Sequence, residues 1–308
     1  MKFIEVPTIF LSYAEDNADQ NYGLLLQQNP SARRVHGVKG FEAAHRKASE
    51  VAKQLSPSYP CFITVDGDNE TMPDFWHLFT EDIPREYTPQ HGSFCLSWNA
   101  YNPMTGLCYG NGGLKMWSHR FVEELKTHEN AEEAVVDFCW RENYTQLARI
   151  YSTTRPYGSE RQAFTAGFRE GAKMPLVGGK QLDSIYETTS KAYSLNLQRL
   201  VTWCSVGAHV EHGPCAYLGA LYGFYAVHVT GEISLRQVSD LDFIKELWTE
   251  QDIPTPAKMR EGILAKTGIE IPVFGPKQSR FIVDRTRPTN LASPFERESW
   301  PSPIDVKF

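Results

Sequence analysis

The chain of 308 residues has no apolar run that approaches the about 20 residues of a membrane-spanning helix. Its first residues, Met1–Glu5, also lack the long apolar segment of a secretory signal peptide. The composition, 41% hydrophobic and 22% charged, is typical of a chain that buries a large core. These features predict a cytoplasmic protein without a membrane partner.

Cysteine is scarce and shows no metal-binding pattern. The six cysteines contain no C-x-x-C pair, which favours buried reduced thiols over disulfides or zinc ligands. The formal net charge of −6 argues against indiscriminate binding of polyanions, although a local basic groove stays compatible with it. The chain also lacks internal repeats and low-complexity tracts, which excludes solenoid architectures.

Patterns typical of strands and helices alternate along the first part of the chain. Apolar and β-branched residues predict strands at 9–11, 33–38 and 61–65, and helical spacing predicts helices at 19–28 and 41–55. A β-α-β-α-β run implies parallel strands joined by right-handed crossovers. We therefore predict an α/β fold, Rossmann-like, with a mostly parallel sheet flanked by helices.

Two aspartates, Asp66 and Asp68, follow the third predicted strand with Gly67 between them. Side chains two residues apart on an extended segment point the same way, and Gly67 leaves room for a ligand. Two carboxylates on one edge suit Mn²⁺ or Mg²⁺ that also contacts a diphosphate. Asp, Gly and Asn are also ordinary turn residues, so a plain turn is the competing interpretation.

Three loops, at 12–17, 36–40 and 66–69, are expected to meet at the carboxyl edge of the sheet, where ligands of such sheets bind. Their convergence favours a nucleotide-diphosphate site over a plain turn. Lys39 is a candidate charge partner of the diphosphate. The predicted contacts to a nucleotide-sugar in these loops are Ser12, Tyr13, Asn17, Lys39, Asp66, Gly67 and Asp68.

Further candidates lie in the middle of the chain. Strands are predicted at 94–101 and 107–109, and a glycine loop follows at 110–113, without the Lys-Ser/Thr ending of a P-loop. The amides of Gly112 and Gly113 are candidate contacts to the donor sugar. Candidate acceptor contacts after the loop are Lys115, Trp117, His119 and Arg120. Buried aromatic residues and solvated charges are the alternative interpretation.

The second half reads as mostly helical between residues 160 and 250. His209 and His212 precede an apolar helix and are candidates to complete the metal site, with structural or exposed histidines as the alternative. From about residue 252, prolines and basic residues predict an extended C-terminal arm. We therefore predict a catalytic domain at 1–250 and a Pro-rich arm at 251–308 packed on it.

Together these patterns resemble a glycosyltransferase of the A-type fold, with its Asp-x-Asp metal motif at Asp66 and Asp68. Over about residues 7–230 the chain is similar to the phage DNA-modifying glycosyltransferases, which include the TET-associated glycosyltransferases. The residues that carry the resemblance are Phe10–Tyr13 with Asn17 and Asn21, Arg34–Phe41 with Ala43–His45, and Gly110–Lys115 with Phe138–Trp140.

The resemblance implies transfer of a sugar from a nucleotide-sugar, with UDP-sugar as the expected donor, to the hydroxymethyl group of 5-hydroxymethylcytosine in DNA. The setting would be the cytoplasm of an infected bacterial host. It also implies a carboxylate base that takes the proton of the acceptor hydroxyl, with Asp137 the first candidate and Glu133 the second. A solvated acidic helix start is the alternative for both.

Three other functions stay open at this point. One is sugar transfer to an acceptor that is not DNA. Another is a sugar-phosphate nucleotidyltransferase, which would use a similar sheet and metal but release pyrophosphate. The last is a non-catalytic phage binding or assembly protein, which would show neither donor hydrolysis nor metal dependence.

Overall fold

The structure, a computed structural model, describes residues 1–88, 92–109, 113–126, 143–181, 194–249, 252–285 and 290–297. These residues form an eight-stranded sheet with the order β2-β1-β3-β7-β5-β8-β4, and β6 pairs with β5. The strands are β1 Thr8–Ser12, β2 Arg33–His36, β3 Cys61–Asp66, β4 Asn69–Thr71, β5 Cys95–Tyr101, β6 Cys108–Tyr109, β7 Leu114–Ser118 and β8 Tyr144–Thr154.

The sheet is mixed, which corrects the expectation of a mostly parallel one. β1, β2 and β3 are parallel to one another, as the β-α-β-α-β pattern predicts, and β5 is parallel to β8. β7 pairs antiparallel with both β3 and β5, β6 with β5, and β4 with β8. For β5 and β6 the cause is the short connection, residues 102–107, which leaves no room for a crossover helix.

Helices cover the sheet and form a separate layer beyond its carboxyl edge. Their bounds are α1 Ala18–Gln28, α2 Phe41–Leu55, α3 His119–Glu123, α4 Glu160–Lys173, α5 Ser194–Trp203, α6 Gly213–Phe224, α7 Leu235–Val238, α8 Leu241–Thr249, α9 Pro256–Thr267 and α10 Pro276–Arg285. A π-helical turn, Tyr225–Val229, continues α6. Short 3₁₀ turns lie at Phe3–Glu5, Pro73–His77, Thr80–Asp82 and Arg85–Tyr87.

Alternation along β3 divides its side chains between the two faces of the sheet. Ile63 and Val65 join the core on the α1 side, whereas Phe62 joins the core on the α2 side, where α2 contributes Ala48 and Ala52. By the period of two, Thr64 and Asp66 share the α2 face with Phe62. The Asp66 carboxylate therefore lies on the face of the sheet that α2 covers, at the edge where β3 ends.

The third core belongs to the helices and reaches the β5–β6 hairpin through Met104, Leu107 and Tyr109. At its centre, α4 and α6 pack with their backbones in contact. A Cβ atom on Gly167 would lie 1.9 Å from the carbonyl oxygen of Ala216, and one on Gly219 would lie 2.2 Å from that of Phe164. This close approach is open only to glycine, which explains the spaced glycines of the apolar helix.

The C-terminal region is largely helical, so the expectation of an extended arm is wrong for residues 256–285. Two of the prolines that suggested it, Pro256 and Pro276, lie in the first turns of helices, where a missing N–H costs nothing. Pro256 follows the cap Thr255, whose hydroxyl accepts from the Lys258 amide, and Pro276 begins α10. Met259 and Ile263 of α9 belong to the helical core.

Residues 290–297 lie along β8 and include a turn at Pro294 and Phe295. The Ala148 amide donates to the Glu296 carbonyl at 2.7 Å, and the Trp98 indole donates to the Pro294 carbonyl at 2.9 Å. Phe295 packs edge-on against Phe3 and Trp98. In the part of the chain that the structure describes, no helix has both the length and the apolar character to cross a membrane.

His228 gives a test of the helical core. It is buried, its Nε2 pairs with the Ala172 carbonyl at 2.7 Å, and its Nδ1 has no partner. Burial lowers the pKa of His228 from 6.5 to about 4. As the pH falls, this imidazole therefore becomes protonated in the unfolded chain before it does so in the folded protein. The free energy of unfolding consequently decreases between pH 6.5 and 4.

We expect urea unfolding to show that the free energy of unfolding falls by about 3 kcal/mol over this range through His228 alone. The variant His228→Gln keeps a donor for the Ala172 carbonyl and cannot titrate there, so its pH profile should be flatter. His77→Gln removes an exposed imidazole and is the matched control. An equally steep profile in His228→Gln would refute the assignment.

Candidate active site at the carboxyl edge of the sheet

The three predicted loops do converge. β1, β3 and β5 run in the same direction, so their carboxyl ends share one edge of the sheet. The Gly37 amide donates to the Ser12 carbonyl at 3.0 Å, which joins the loops after β2 and β1. The Asn21 side chain donates to the Gly67 carbonyl at 2.8 Å, which ties α1 to the turn after β3.

Asp66 ends β3 beside the glycine loop. Its amide donates to the Gly113 carbonyl at 3.0 Å, and a Cβ atom on Gly113 would lie 2.1 Å from the Cβ of Asp66. The Lys115 ammonium lies 3.8 Å from an Asp66 carboxylate oxygen, although the Lys115 side chain is only 9% exposed. Gly113 and Lys115 therefore belong to the same site as the aspartate, as the sequence predicts for the glycine loop.

Asp68 lies on the other side of Gly67, toward β8. Its two carboxylate oxygens accept from the side-chain NH₂ group of Asn69 at 2.7 Å and from the Thr154 hydroxyl at 3.2 Å. Burial, with the charges of Asp66 and Glu15 nearby, raises the pKa of Asp68 to about 7. Such a carboxylate is costly to keep ionised in the fold, and perturbed pKa values of this kind cluster at functional sites.

Glu15 is a third carboxylate, which the sequence reasoning missed. A Cβ atom on Gly67 would lie 2.7 Å from a Glu15 oxygen, so glycine between the two aspartates makes room for it. The same oxygen accepts from the Tyr13 amide at 2.7 Å. Burial raises the pKa of Glu15, and the Asp66 charge adds to the effect. The sequence predicts a site loop at 12–17, but no local pattern shows that Glu15 folds back against Gly67.

The histidine part of the predicted metal site is not assembled. Within the described residues, no three His, Cys, Asp or Glu side chains are grouped as ligands of a metal ion. His209 and His212 lie in turns before α6 and not on a helix. His209 faces the Pro103 backbone and the charges of Arg280 and Asp284, and burial lowers its pKa.

Tyr13 and Lys39 lie side by side, although not free. The Tyr13 hydroxyl donates to Asp242 at 3.2 Å, and the Lys39 ammonium lies 2.5 Å from Asp242 and 3.7 Å from Asp240. The hydrogen bond to Asp242 raises the pKa of Lys39. The start of α8 thus covers the loops after β1 and β2, a contact between residues too distant in sequence for any motif to reveal.

Ser12 and Asn17 have a positioning role in this structure. The Ser12 hydroxyl is buried between Arg34, whose Nε donates to it at 2.8 Å, and His36. The Asn17 amide donates to the Arg155 carbonyl at 2.9 Å and accepts from Gln162 at 3.0 Å. Both side chains shape the loop that carries Tyr13 and Glu15 and use their polar atoms inside the protein.

The prediction of an acceptor surface at Trp117, His119 and Arg120 is wrong. Trp117 is fully buried, and its indole donates to the Thr64 hydroxyl at 2.7 Å, so it has no face for a base. β7 runs antiparallel to β3, which places His119 and Arg120 about 15 Å from Asp66, past the opposite end of β3. There His119 is buried against Phe62, and Arg120 pairs with Glu124.

The remaining candidates, Gly112, Glu133 and Asp137, lie outside the described residues.

One residue near the site was not predicted from the sequence as a site residue. His45 is buried on α2 between the rings of Phe41 and Trp117, at centroid distances of 4.1 and 4.8 Å. Burial lowers its pKa to about 4 despite the charge of Asp66, so it is neutral at pH 7.

Comparisons with known proteins give little. No family model matches the chain, and no curated protein matches it. A solved structure titled "Crystal Structure of A197 from STIV" is similar with a TM-score of 0.27 and 11% sequence identity. The alignment covers 39% of this chain and 69% of that one. A likeness of that size carries no inference about family or activity.

Proposed function

We propose that this protein is a metal-dependent glycosyltransferase that moves a sugar from a nucleotide-sugar to the hydroxymethyl group of 5-hydroxymethylcytosine in DNA. One observation carries the sugar-transfer part: Asp66, Gly67 and Asp68 end a parallel strand beside Glu15 and Gly113. Open α/β sheets bind their ligands at this edge. The DNA acceptor is supported by the resemblance of about residues 7–230 to phage enzymes.

The oxygen ligands at this edge fit Mn²⁺ or Mg²⁺. Asp66 and Asp68 offer hard carboxylate oxygens, and a divalent cation can be held by two carboxylates together with phosphate oxygens of the donor. Repulsion from Asp66 and Glu15, seen in the raised pKa of Asp68, is what such a cation relieves. When bound, such a cation neutralises charge on the departing nucleoside diphosphate. Lys115 lies on the same side as Asp66 and adds a positive charge for the phosphates or the leaving oxygen.

The donor would lie across the loops after β1, β2 and β3. Gly67 and Gly113 leave room for the Glu15 and Asp66 side chains, so that both carboxylates lie against the backbone of these loops. Lys39 and Tyr13 line the far side, where Lys39 is the cation for the diphosphate. Lys39 must exchange its carboxylate partners for phosphate oxygens, so Asp242 competes with the donor.

Lys39→Ala should therefore weaken donor affinity by about tenfold or more, because a charge-assisted contact is lost. Asp242→Asn should strengthen it, because the competing carboxylate is neutralised. Lys53→Ala, which breaks the exposed Lys53–Glu123 pair at 2.8 Å between α2 and α3, is the matched control. Calorimetric titration with nucleoside diphosphates and Mn²⁺ measures all three. Unchanged affinity in Lys39→Ala would remove Lys39 from the donor site.

The reaction class is tested by the small product. A glycosyltransferase transfers the sugar of a nucleotide-sugar to the acceptor or, more slowly, to water, and releases a nucleoside diphosphate. A nucleotidyltransferase instead releases pyrophosphate from a nucleoside triphosphate and a sugar phosphate. We expect nucleoside diphosphate, measured by anion-exchange chromatography, and no pyrophosphate. Pyrophosphate as the product would overturn the proposal in favour of the second class.

A further inference from the structure

The C-terminal helices concentrate positive charge on an acidic chain. The whole chain carries a formal charge of −6. Residues 256–285 contain six basic residues, at 258, 260, 266, 277, 280 and 285, and three acidic ones, at 261, 270 and 284, which gives 6 − 3 = +3. A local excess of this sign creates a positive field that the average composition hides.

Helix α10 exposes most of this charge on one surface. Ser279 and Val283 turn inward, whereas Lys277, Arg280 and Arg285 are exposed. Phe281 is 60% exposed among them, and the Arg285 guanidinium lies 5.5 Å from the centre of its ring. In the described ranges, these three cations form no ion pair.

This surface lies at the same edge of the sheet as the active site. His209 lies close to the Pro103 backbone and to the charges of Arg280 and Asp284. Pro103 is in the turn that follows β5, and β5 runs in the same direction as β3. The carboxyl ends of both strands meet this edge, so α10 lies near the same edge of the sheet as Asp66.

We infer that the exposed face of α10 binds the sugar-phosphate backbone of DNA, with Lys277, Arg280 and Arg285 on phosphates and Phe281 available to stack on an unpaired base. The inference rests on the proposed function in that DNA is the acceptor. Cations on phosphates and an aromatic ring under a base are the two contacts that nucleic acids favour.

A lipid surface fits this helix less well. An interfacial helix needs a broad apolar face, and on α10 Val283 is buried and Ile282 is half-buried. Phe281 alone points outward among polar neighbours. Nucleic acid combines negative charge with planar rings, so DNA is the probe in the experiment below.

The test is DNA binding by the full-length chain, without donor. Fluorescence anisotropy with a labelled duplex that carries one mismatch gives the affinity over a range of salt concentrations. The triple variant Lys277→Gln, Arg280→Gln, Arg285→Gln is compared with Arg33→Gln, Lys47→Gln, Lys53→Gln, which removes the same charge from exposed positions near α2. Release of sugar from the donor to water, measured on the same samples, reports on the active site.

We expect the α10 variant to lose at least about tenfold in affinity, with a salt slope smaller by up to about 2.7, or 0.9 for each phosphate contact. The control variant should keep both, and donor hydrolysis should be equal in all three proteins. Equal DNA affinity of the two variants would overturn the inference, as would binding of anionic phosphatidylserine vesicles in preference to DNA. Absence of donor hydrolysis in the unmodified protein would count against the proposed function and leave the DNA result intact.

Discussion

Asp68→Asn should lower turnover by about 10³-fold or more and, without metal, make the protein more stable. The loss in rate follows from the several kcal/mol that a carboxylate-held metal contributes to leaving-group departure. The gain in stability follows from burial and two neighbouring carboxylates, which raise the pKa of Asp68 to about 7. Ionised Asp68 therefore opposes folding increasingly as the pH rises from 3.8 through 7.

Removing that charge while keeping the shape should raise the free energy of unfolding at pH 7 by about 1–3 kcal/mol. Opposite signs for activity and stability distinguish a functional carboxylate from a structural turn, because a turn residue contributes to stability alone. Urea unfolding and steady-state rates on the same preparation provide both values. Asp82→Asn, at an exposed position, is the control. Full turnover in Asp68→Asn, or in chelator, would end the metal-site assignment.

Gly219→Ala should destabilise the protein by about 3 kcal/mol or more, and soluble protein is expected to be scarce. Alanine is ordinarily better than glycine inside a helix by about 1 kcal/mol. Here the added Cβ would lie 2.2 Å from the Phe164 carbonyl oxygen and 2.9 Å from the Phe168 nitrogen, both of which are backbone atoms of α4. Since neither can rotate away, the two helices must separate, and overpacking of this kind is costly.

Gly23→Ala supplies the matched control. Gly23 is also inside a helix, α1, but a Cβ there meets no atom within 4 Å. It should stabilise by about 0.5–1 kcal/mol. Thermal and urea unfolding of the two variants should therefore shift in opposite directions. A Gly219→Ala protein as stable as the unsubstituted chain would show that α4 and α6 do not pack through their backbones.

The local parts of the fold were readable from the sequence. Residues 41–55 alternate between apolar and charged positions with helical spacing, and the helix has these bounds. The strand predicted at 61–65 is observed at Cys61–Asp66. These features depend on neighbours within a few residues, so they can be recognised without knowledge of tertiary contacts.

The remaining features depend on contacts between distant residues. Trp117 follows the glycine loop in sequence, yet β7 turns it into the core, because its side of the strand faces α2. Asp242 meets Lys39 from the far end of the chain. The prolines at 256 and 276 were read as helix breakers, whereas their positions after Thr255 and Gly275 make them helix starters. Strand pairing decides the first case and a contact from a distant segment decides the second, whereas the helix starts at 256 and 276 depend on local capping that composition alone does not show.

Sugar transfer itself is measured most directly by weighing nucleosides. Duplex DNA with 5-hydroxymethylcytosine, and the same duplex with cytosine, would be incubated with the protein, Mn²⁺ and a panel of nucleotide-sugars, then digested and analysed by mass spectrometry. We predict a gain equal to one hexosyl or pentosyl group on the hydroxymethylated nucleoside with at least one donor, and none on cytosine. No gain on either DNA with any donor, in protein that is folded and binds Mn²⁺, would contradict the account.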